Sequence, residues 1–393
     1  MKQCFARHNF TSAAHLMKCA RAPSSYRQVL PSLTVKSSCV PSNAGRRPFL
    51  FRLRNWEYWP IWLANIPTVF FWLFFAVKAR KLFFFSTANP GIETGGVLGE
   101  SKINILRRIP EAYLPVTLFV TAEERDPLLL LDRIKAAGLT FPIIAKPDVG
   151  ERGFMVEKLD DEMNFRHYLQ RSCVAFMVQE FVSLPQEISV MYYQMPGETG
   201  GAVTSICVKE MLHVTGDGTT TVEALMAAYP RASLQIERFR REKEDLLAVV
   251  PAAGEKLLLE PIGNHSRGTT FLNGNHWIDE ELNALFTSVG RRMEGIFYGR
   301  FDLKCASIDQ LRKGEAFKIL EFNGVTAEPA HIYDPSYPIG ATYRDIYRHW
   351  RIIYQIYLRQ NARGVKSMTF GEAWRAISDY QRYMKLAGEP NKY

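Results

Sequence analysis

Two runs of alternating apolar and polar residues, 300–307 and Phe317–Asn323, flank a polar, glycine-containing stretch at 309–314 and so predict a β-hairpin. With the turn symmetric about Leu311 and Arg312, Asp302 faces Glu321, Arg300 faces Asn323 and Phe301 faces Phe322. The phenylalanines then share one face and the carboxylates the other, because side chains alternate along a strand. Shorter apolar runs predict strands at 116–120, 141–147 and 175–182, with another starting at Leu184. Residues 148–156 hold Gly150 and Gly153 and read as a tight turn into a further strand. Helices are expected at 101–108, from a Thr121/Glu124 capping box to about Gly138, and along 231–250. A Gly-Asp-Gly turn at 216–218 precedes a second capping box, Thr220/Glu223. After Ala341, Ile346, Trp350, Ile353 and Tyr357 recur on one helical face, with Arg344, Arg348, Arg351 and Arg359 around it, and a second helix at 371–386 packs against the first. Strands and helices mixed in this way give an α+β class.

The most hydrophobic part of the chain runs from Trp56 to Phe85 and contains a largely apolar stretch at 59–77. That stretch just reaches the length of a bilayer span, but Pro60, Asn65 and Pro67 interrupt it and its tryptophans favour the headgroup region. Spanning, lying in the interface and packing as a core helix are the three readings, and membrane association is the expectation. Four glycines between Gly91 and Gly99 predict a linker. Residues 1–48 are basic, free of acids and weakly patterned, as a disordered or transit-like leader would be. They carry most of the +9 net charge, so the remainder is nearly neutral and offers no basic surface for nucleic acid. Cys173, Cys207 and Cys305 have no paired spacing, so no zinc-site or disulfide framework is suggested and a reducing compartment is expected. The expected location is a membrane with the catalytic domain on the cytoplasmic side, or mitochondrial if the leader is a transit peptide. The expected divisions are 1–48, 49–98, a core domain at 99–340 and C-terminal helices at 341–393.

Like charges opposed across a hairpin are destabilising, so Asp302 against Glu321 asks for a bridging cation. Asn323 lies two residues from Glu321 on the same side of the strand, which completes an all-oxygen set suited to Mg2+. A solvated face on which the charges never meet is the bland alternative. Lys146 ends its strand beside the glycine turn, where a lysine and exposed N–H groups can hold phosphate.

The succession Ala-Lys146-Pro, Gly150 to Gly153, Gln-Glu-Phe-Val at 179–182, Glu187, Arg-Phe-Asp at 300–302 and Glu-Phe-Asn at 321–323 resembles the ATP-grasp superfamily from about Lys102 to Pro335. The resemblance, to D-alanine–D-alanine ligases and cyanophycin synthetase-like carboxylate–amine ligases, implies two α+β subdomains clamping ATP. It implies that Lys102 and Lys146 hold phosphates and that Gly150 to Gly153 closes over them. Gln179, Glu180 and Val182 would read adenine, and Glu187 the ribose. Asp302, Glu321 and Asn323 would hold two Mg2+ ions, with Mn2+ an alternative, and Arg300 would stabilise an acyl phosphate. The expected reaction joins small-molecule carboxylate and amine substrates. A kinase of the same fold and a non-catalytic nucleotide-binding membrane scaffold are the alternatives. In place of the ligases' first α/β domain this chain has the leader and the aromatic segment, and its loop reads Gly-Glu-Arg-Gly without serines, which leaves the acceptor open.

Overall fold

The computed structural model describes residues 56–151, 153–261, 263 and 267–388. The expected leader, residues 264–266 and Arg152 lie outside the described residues. The chain enters through a 3-10 turn, Trp56–Tyr58, and helix α1, Ile61–Ala79, followed by a buried 3-10 turn, Phe84–Ala88. Helix α2, Lys102–Leu106, is capped by the Ser101 hydroxyl.

Strand β1 (Thr117–Val120), helix α3 (Pro127–Ala136), β2 (Ile143–Pro147), β3 (Glu157–Leu159), helix α4 (Glu162–Arg171) and β4 (Phe176–Glu180) form the first layer pair. Its antiparallel sheet has the order β1-β4-β2-β3. The helix after β1 begins at Asp126, whose carboxylate accepts from Leu128 and Leu129 N–H, and not at Thr121. Pro127 explains the shift, since it lacks an N–H and is pre-set for the first helical position. Thr121 and Glu124 close a turn just ahead of it.

Strands β5 (Gln186–Gln194) and β6 (Gly201–Glu210) lead to a small ribbon, β7 (His213–Thr215) with β8 (Lys256–Leu258). Between them lie α5 (Val222–Ala228), α6 (Pro230–Ser233), α7 (Ile236–Glu242) and α8 (Glu244–Leu247) around their own core, which includes Val222, Phe239 and Leu247. The single charged helix expected at 231–250 is broken into short pieces, with breaks at Leu234–Gln235 and at Lys243, whose backbone is non-helical. The Thr220 capping box is also corrected. Asp217 accepts from Thr219 and Thr220 N–H, and Thr221 is the cap.

Strand β9 (Thr270–Asn273), helix α9 (Glu280–Gly290), β10 (Tyr298–Cys305), helix α10 (Ile308–Arg312) and β11 (Phe317–Asn323) complete a five-stranded antiparallel sheet, β11-β10-β5-β6-β9. The hairpin register is Arg300 to Asn323, Phe301 to Phe322 and Asp302 to Glu321, as the alternation predicts. A bulge after Asp302 then slides the pairing, so Leu303 meets Ile319. The connection is the helical turn α10, capped by Ser307, and not a simple symmetric turn.

Helix α11, Ile339–Ala362, buries Ile346, Ile353 and Tyr357, and α12, Phe370–Leu386, carries a Thr369/Glu372 capping box. Helix α12 meets the N-terminal segment through Phe83 and Gly99, which corrects the expectation that it packs on α11.

The expected linker at 91–99 is a packed joint. Fully buried Asn89 accepts from Phe297 and Tyr298 N–H and donates to the Gly95 and Tyr298 carbonyls, which satisfies its whole side chain. Val325 and Thr326 N–H donate to Gly95 and Gly96 carbonyls at 3.2 and 3.3 Å. Backbones meet so closely that a Cβ on Gly324 would lie 2.7 Å from Gly95 O and Gly96 Cα. Gly324→Ala is therefore expected to destabilise the fold by about 1–3 kcal/mol through overpacking. A thermal melt checks it, and an unchanged midpoint would show that the joint does not hold 91–99 in place.

Candidate active site

On β10, β5 and β6 the alternation sorts side chains strictly by face. Phe301, Leu303, Ile188, Val190 and Ile206 point into the apolar core with α9. Arg300, Asp302 and Lys304 take the other face, aligned with Met191, Ser189 and Glu187 on β5. One strand further, Lys209 pairs with Glu187 and Cys207 with Ser189.

Asp302 is buried at the centre of this face. Its carboxylate accepts from Ser189 Oγ at 2.5 Å, from Arg300 Nε and Nη2 at 3.0 and 3.2 Å, and from Asn323 Nδ2 at 3.3 Å. Burial alone would raise its pKa, but Arg300, Lys209 and these hydrogen bonds outweigh that and hold it down at about 2. Lys209 lies 3.0 Å from Glu187 and 3.7 Å from Asp302. Burial works against its charge, yet the two carboxylates push its pKa up. Glu187 is itself covered by Gly263, where a Cβ would come within 2.2 Å of Oε1. Lys304 stands opposite Glu187 and donates to the Val182 carbonyl at 3.1 Å.

Lys146 joins the two sheets. From β2 its ammonium donates to Gln179 Oε1 on β4 at 2.9 Å and crosses to the Leu320 carbonyl on β11 at 3.0 Å. It is only 7% exposed, and both of these partners are neutral. Burial therefore lowers its pKa to about 8, with Glu321 opposing and Lys102 reinforcing the shift. Lys102, at the start of α2, donates to the Gly150 carbonyl and lies 3.7 Å from Glu321. Asp148 ties the same helix start to the glycine turn by accepting from Ile103 N–H at 2.9 Å. Gly150 and Gly153 both have positive φ, which their missing Cβ permits.

The expected base-reading stretch is partly engaged. Gln179 is buried between Lys146 and Thr117, and Glu180 pairs with Val116 through both its N–H and its carboxylate.

Glu321 and Asp302 stand in register with Asn323 beside them, and Lys102 lies 3.7 Å from the Glu321 carboxylate. Two carboxylates and an amide oxygen, all hard donors, fit a divalent ion that keeps water and phosphate ligands. Among the described residues no group of three His, Cys, Asp or Glu side chains forms a metal site, so the amide would be needed.

Beyond Arg300, the chain turns back at Glu328, whose carbonyl accepts from Arg300 Nη1 at 3.3 Å. Burial raises the Glu328 pKa despite the Tyr333 hydroxyl that donates to it and the nearby Arg300. Trp56 stacks on Tyr333 with ring centres 4.9 Å apart. His331 is satisfied structurally, between Ser205 Oγ at 2.7 Å and Asp345 at 3.1 Å.

Sequence reasoning named Lys102, Lys146, Glu187, Arg300, Asp302, Glu321 and Asn323, and the fold brings them to one cleft. It missed Ser189, Lys209, Lys304 and Glu328. Lys209 had one signal, a lysine in phase with Ser205 and Cys207 on an otherwise apolar strand.

No family model matches the sequence, and no curated protein matches it. Solved structures do. The chain is similar to VanG D-Ala:D-Ser ligase from Enterococcus faecalis, at 11% identity over 67% of this chain and 63% of that one, with a TM-score of 0.39. It is similar to D-alanine–D-alanine ligase from Bacillus anthracis complexed with ATP, at 13% identity over 66% of each chain and a TM-score of 0.37. A bifunctional glutathione synthetase from Pasteurella multocida matches at 16% identity over 59% of this chain, with a TM-score of 0.34. The chain spans 33%, 63% and 66% of the lengths of the synthetase, the D-Ala:D-Ser ligase and the D-alanine ligase.

Proposed function

We propose that this protein is an ATP- and Mg2+-dependent ligase that activates a small carboxylate as an acyl phosphate and joins it to an amine. The observation that carries the reading is Lys146, a buried ammonium held by two neutral oxygens in the cleft between two sheets. A buried cation without a bonded counter-charge is stabilised by an anion, and a triphosphate supplies one. Lys102, on the other side of Glu321 and against the glycine turn, adds a second charge at the same place.

Asp302, Glu321 and Asn323 are the residues that would hold Mg2+, which supplies charge neutralisation to the phosphates when bound. Arg300 is fixed by its own strand neighbour Asp302 and by Glu328 O, so its guanidinium is pre-positioned for the acyl phosphate that forms when a carboxylate oxygen attacks γ-phosphorus and ADP leaves, and for the oxyanion that develops when the amine then adds to the acyl carbon. In the second step the amine nitrogen attacks the acyl carbon, phosphate leaves and the nitrogen gives up a proton. Glu328, with its pKa raised, lies next to Arg300 with the Tyr333 hydroxyl donating to it, and its carboxylate is the group proposed to take that proton. Glu187, Gln179, Glu180 and Val182 are the residues proposed to take the nucleoside.

Full-length protein incubated with ATP, Mg2+, hydroxylamine and a pool of carboxylic acids is expected to form hydroxamate, since hydroxylamine intercepts an acyl phosphate. Glu321→Ala should reduce it at least about 100-fold, as loss of a charge-stabilising group does. ADP release without hydroxamate would indicate phosphorylation without ligation, and ATP bound but never turned over would indicate a scaffold.

The pH dependence of nucleotide binding has a defined sign. Lys146 in the free protein loses its proton as pH rises through about 8, so its attraction for phosphate is present below that pH and fades above it. ATP affinity is expected to fall between pH 7 and 9.5, with proton uptake on binding near pH 8.5 by calorimetry in two buffers. In Lys146→Arg the guanidinium stays charged throughout, and the dependence should flatten. A slope that persists in Lys146→Arg assigns the titration to another group.

A further inference from the structure

Helix α1 is apolar on the outside. Trp62, Ile66, Phe70, Leu73 and Val77 recur at helical spacing and stay exposed, Trp62 at 67%, Phe70 at 65% and Val77 at 77%. The inner side docks on α11 along its whole length and in parallel. Tyr343 OH donates to Ala64 O at 3.1 Å, Phe71 meets Tyr347 with ring centres 5.4 Å apart, Phe75 meets Tyr354 at 5.2 Å, and Tyr357 OH donates to Ala79 O at 3.0 Å.

The 19-residue helix is about 28 Å long, enough to cross a bilayer. The docking forbids it. A spanning α1 would carry α11 with it, and Arg344, Arg348 and Arg351 are exposed along the same stretch. An arginine carried to the bilayer centre would be strongly unfavourable. With the helix in the membrane plane, the same arginines lie at headgroup level.

A second apolar stripe adjoins the first. Phe370, Trp374 and Ile377 on α12 are 71%, 74% and 43% exposed, and Phe370 packs edge-on against Phe83, just beyond the end of α1. Exposed Arg80 and Lys81 lie at this junction. Among the described residues, none of Arg80, Lys81, Arg348 and Arg351 forms an ion pair with an acid.

We propose that α1 and the Phe370–Trp374–Ile377 stripe form a single in-plane docking surface for an anionic bilayer. The apolar side chains enter the boundary between headgroups and acyl chains, and Arg80, Lys81, Arg348 and Arg351 meet lipid phosphates. The attachment is independent of the ligase reading, and its test contains no activity measurement.

The test is sedimentation of the full chain with vesicles of phosphatidylcholine alone and with 30% phosphatidylserine. Binding is expected to be at least tenfold tighter to the anionic vesicles. Phe70→Glu with Leu73→Glu should lower it at least tenfold and Trp374→Glu several-fold. Arg348→Glu with Arg351→Glu should remove the preference for phosphatidylserine. All of these side chains except the half-exposed Leu73 are well exposed, so the melts should stay unchanged, and because every variant keeps the basic leader, binding that survives them all overturns the proposal. Nitroxides at Leu63→Cys, Phe70→Cys and Val77→Cys, with Cys4, Cys19, Cys39 and Cys173 changed to serine, report depth. One shared shallow depth supports the in-plane helix, and a maximum at position 70 overturns it in favour of a span. A stable dimer that ignores both vesicles would give the face to a second copy of the chain and overturn the lipid assignment.

Discussion

A single buried carboxylate, Asp302, fixes the geometry on which this site depends. Its partners Ser189, Arg300, Lys209 and Asn323 come from four of the five strands of one sheet. Taking a charge out of water costs several kcal/mol unless it is paired and hydrogen-bonded, and breaking such a cluster leaves its other charges uncompensated. The register of β5, β6, β10 and β11 is therefore held from the site face by charge as well as from the core face by Phe301, Ile188 and Ile206. A one-residue slip would turn Lys209 of β6, Arg300 and Lys304 of β10 or Lys318 of β11 toward that core, and a slip in β5 would turn Glu187 toward it.

The two sheets keep largely separate apolar cores, one around Phe286 and Phe301 and the other around Phe165 and Phe176. Met177 and Phe119 of the first sheet cross to the second core as apolar contacts, and lysine–carbonyl bonds lie beside them. Lys146 reaches Leu320 O, and Lys318 donates to the Ala112 and Leu114 carbonyls at 3.2 and 2.9 Å. A seam of lysines on carbonyls gives up its contacts to an anion more readily than apolar packing would, because each ammonium gains a charged partner in exchange. The same seam places the Gly150 turn, the start of α2 and Glu321 within reach of one another.

On the opposite flank, α11 has two duties. Ile353, Ile356 and Tyr357 bury against the segment at 84–88 and the end of α1, while its tyrosines carry α1 on the outside. The residues that dock α1 also decide which of its faces is left open, so attachment and core packing are not separable properties of this helix.

What the sequence determined by itself is local and periodic. The two-residue repeat forces Asp302, Glu321 and Asn323 onto one side of a hairpin and Phe301 and Phe322 onto the other, and only the bulge after Asp302 and the α10 turn were beyond it. Lys146 and the glycine turn were legible for the same reason, as a lysine at a strand end beside residues able to adopt positive φ. Caps were read one or more residues out at Thr121 and Thr220, where Pro127 and Asp217 compete for the same backbone. Only the tertiary structure decided which charges meet. Lys209 matters because Glu187 and Asp302 lie on neighbouring strands, and Lys146 because β11 from the other sheet comes to it. The hydrophobicity of residues 59–77 left spanning, lying and burial open. Docking against α11 decides which face of that helix is covered and which stays open, since the burial of one helix face depends on a partner almost three hundred residues away in sequence that no periodicity encodes.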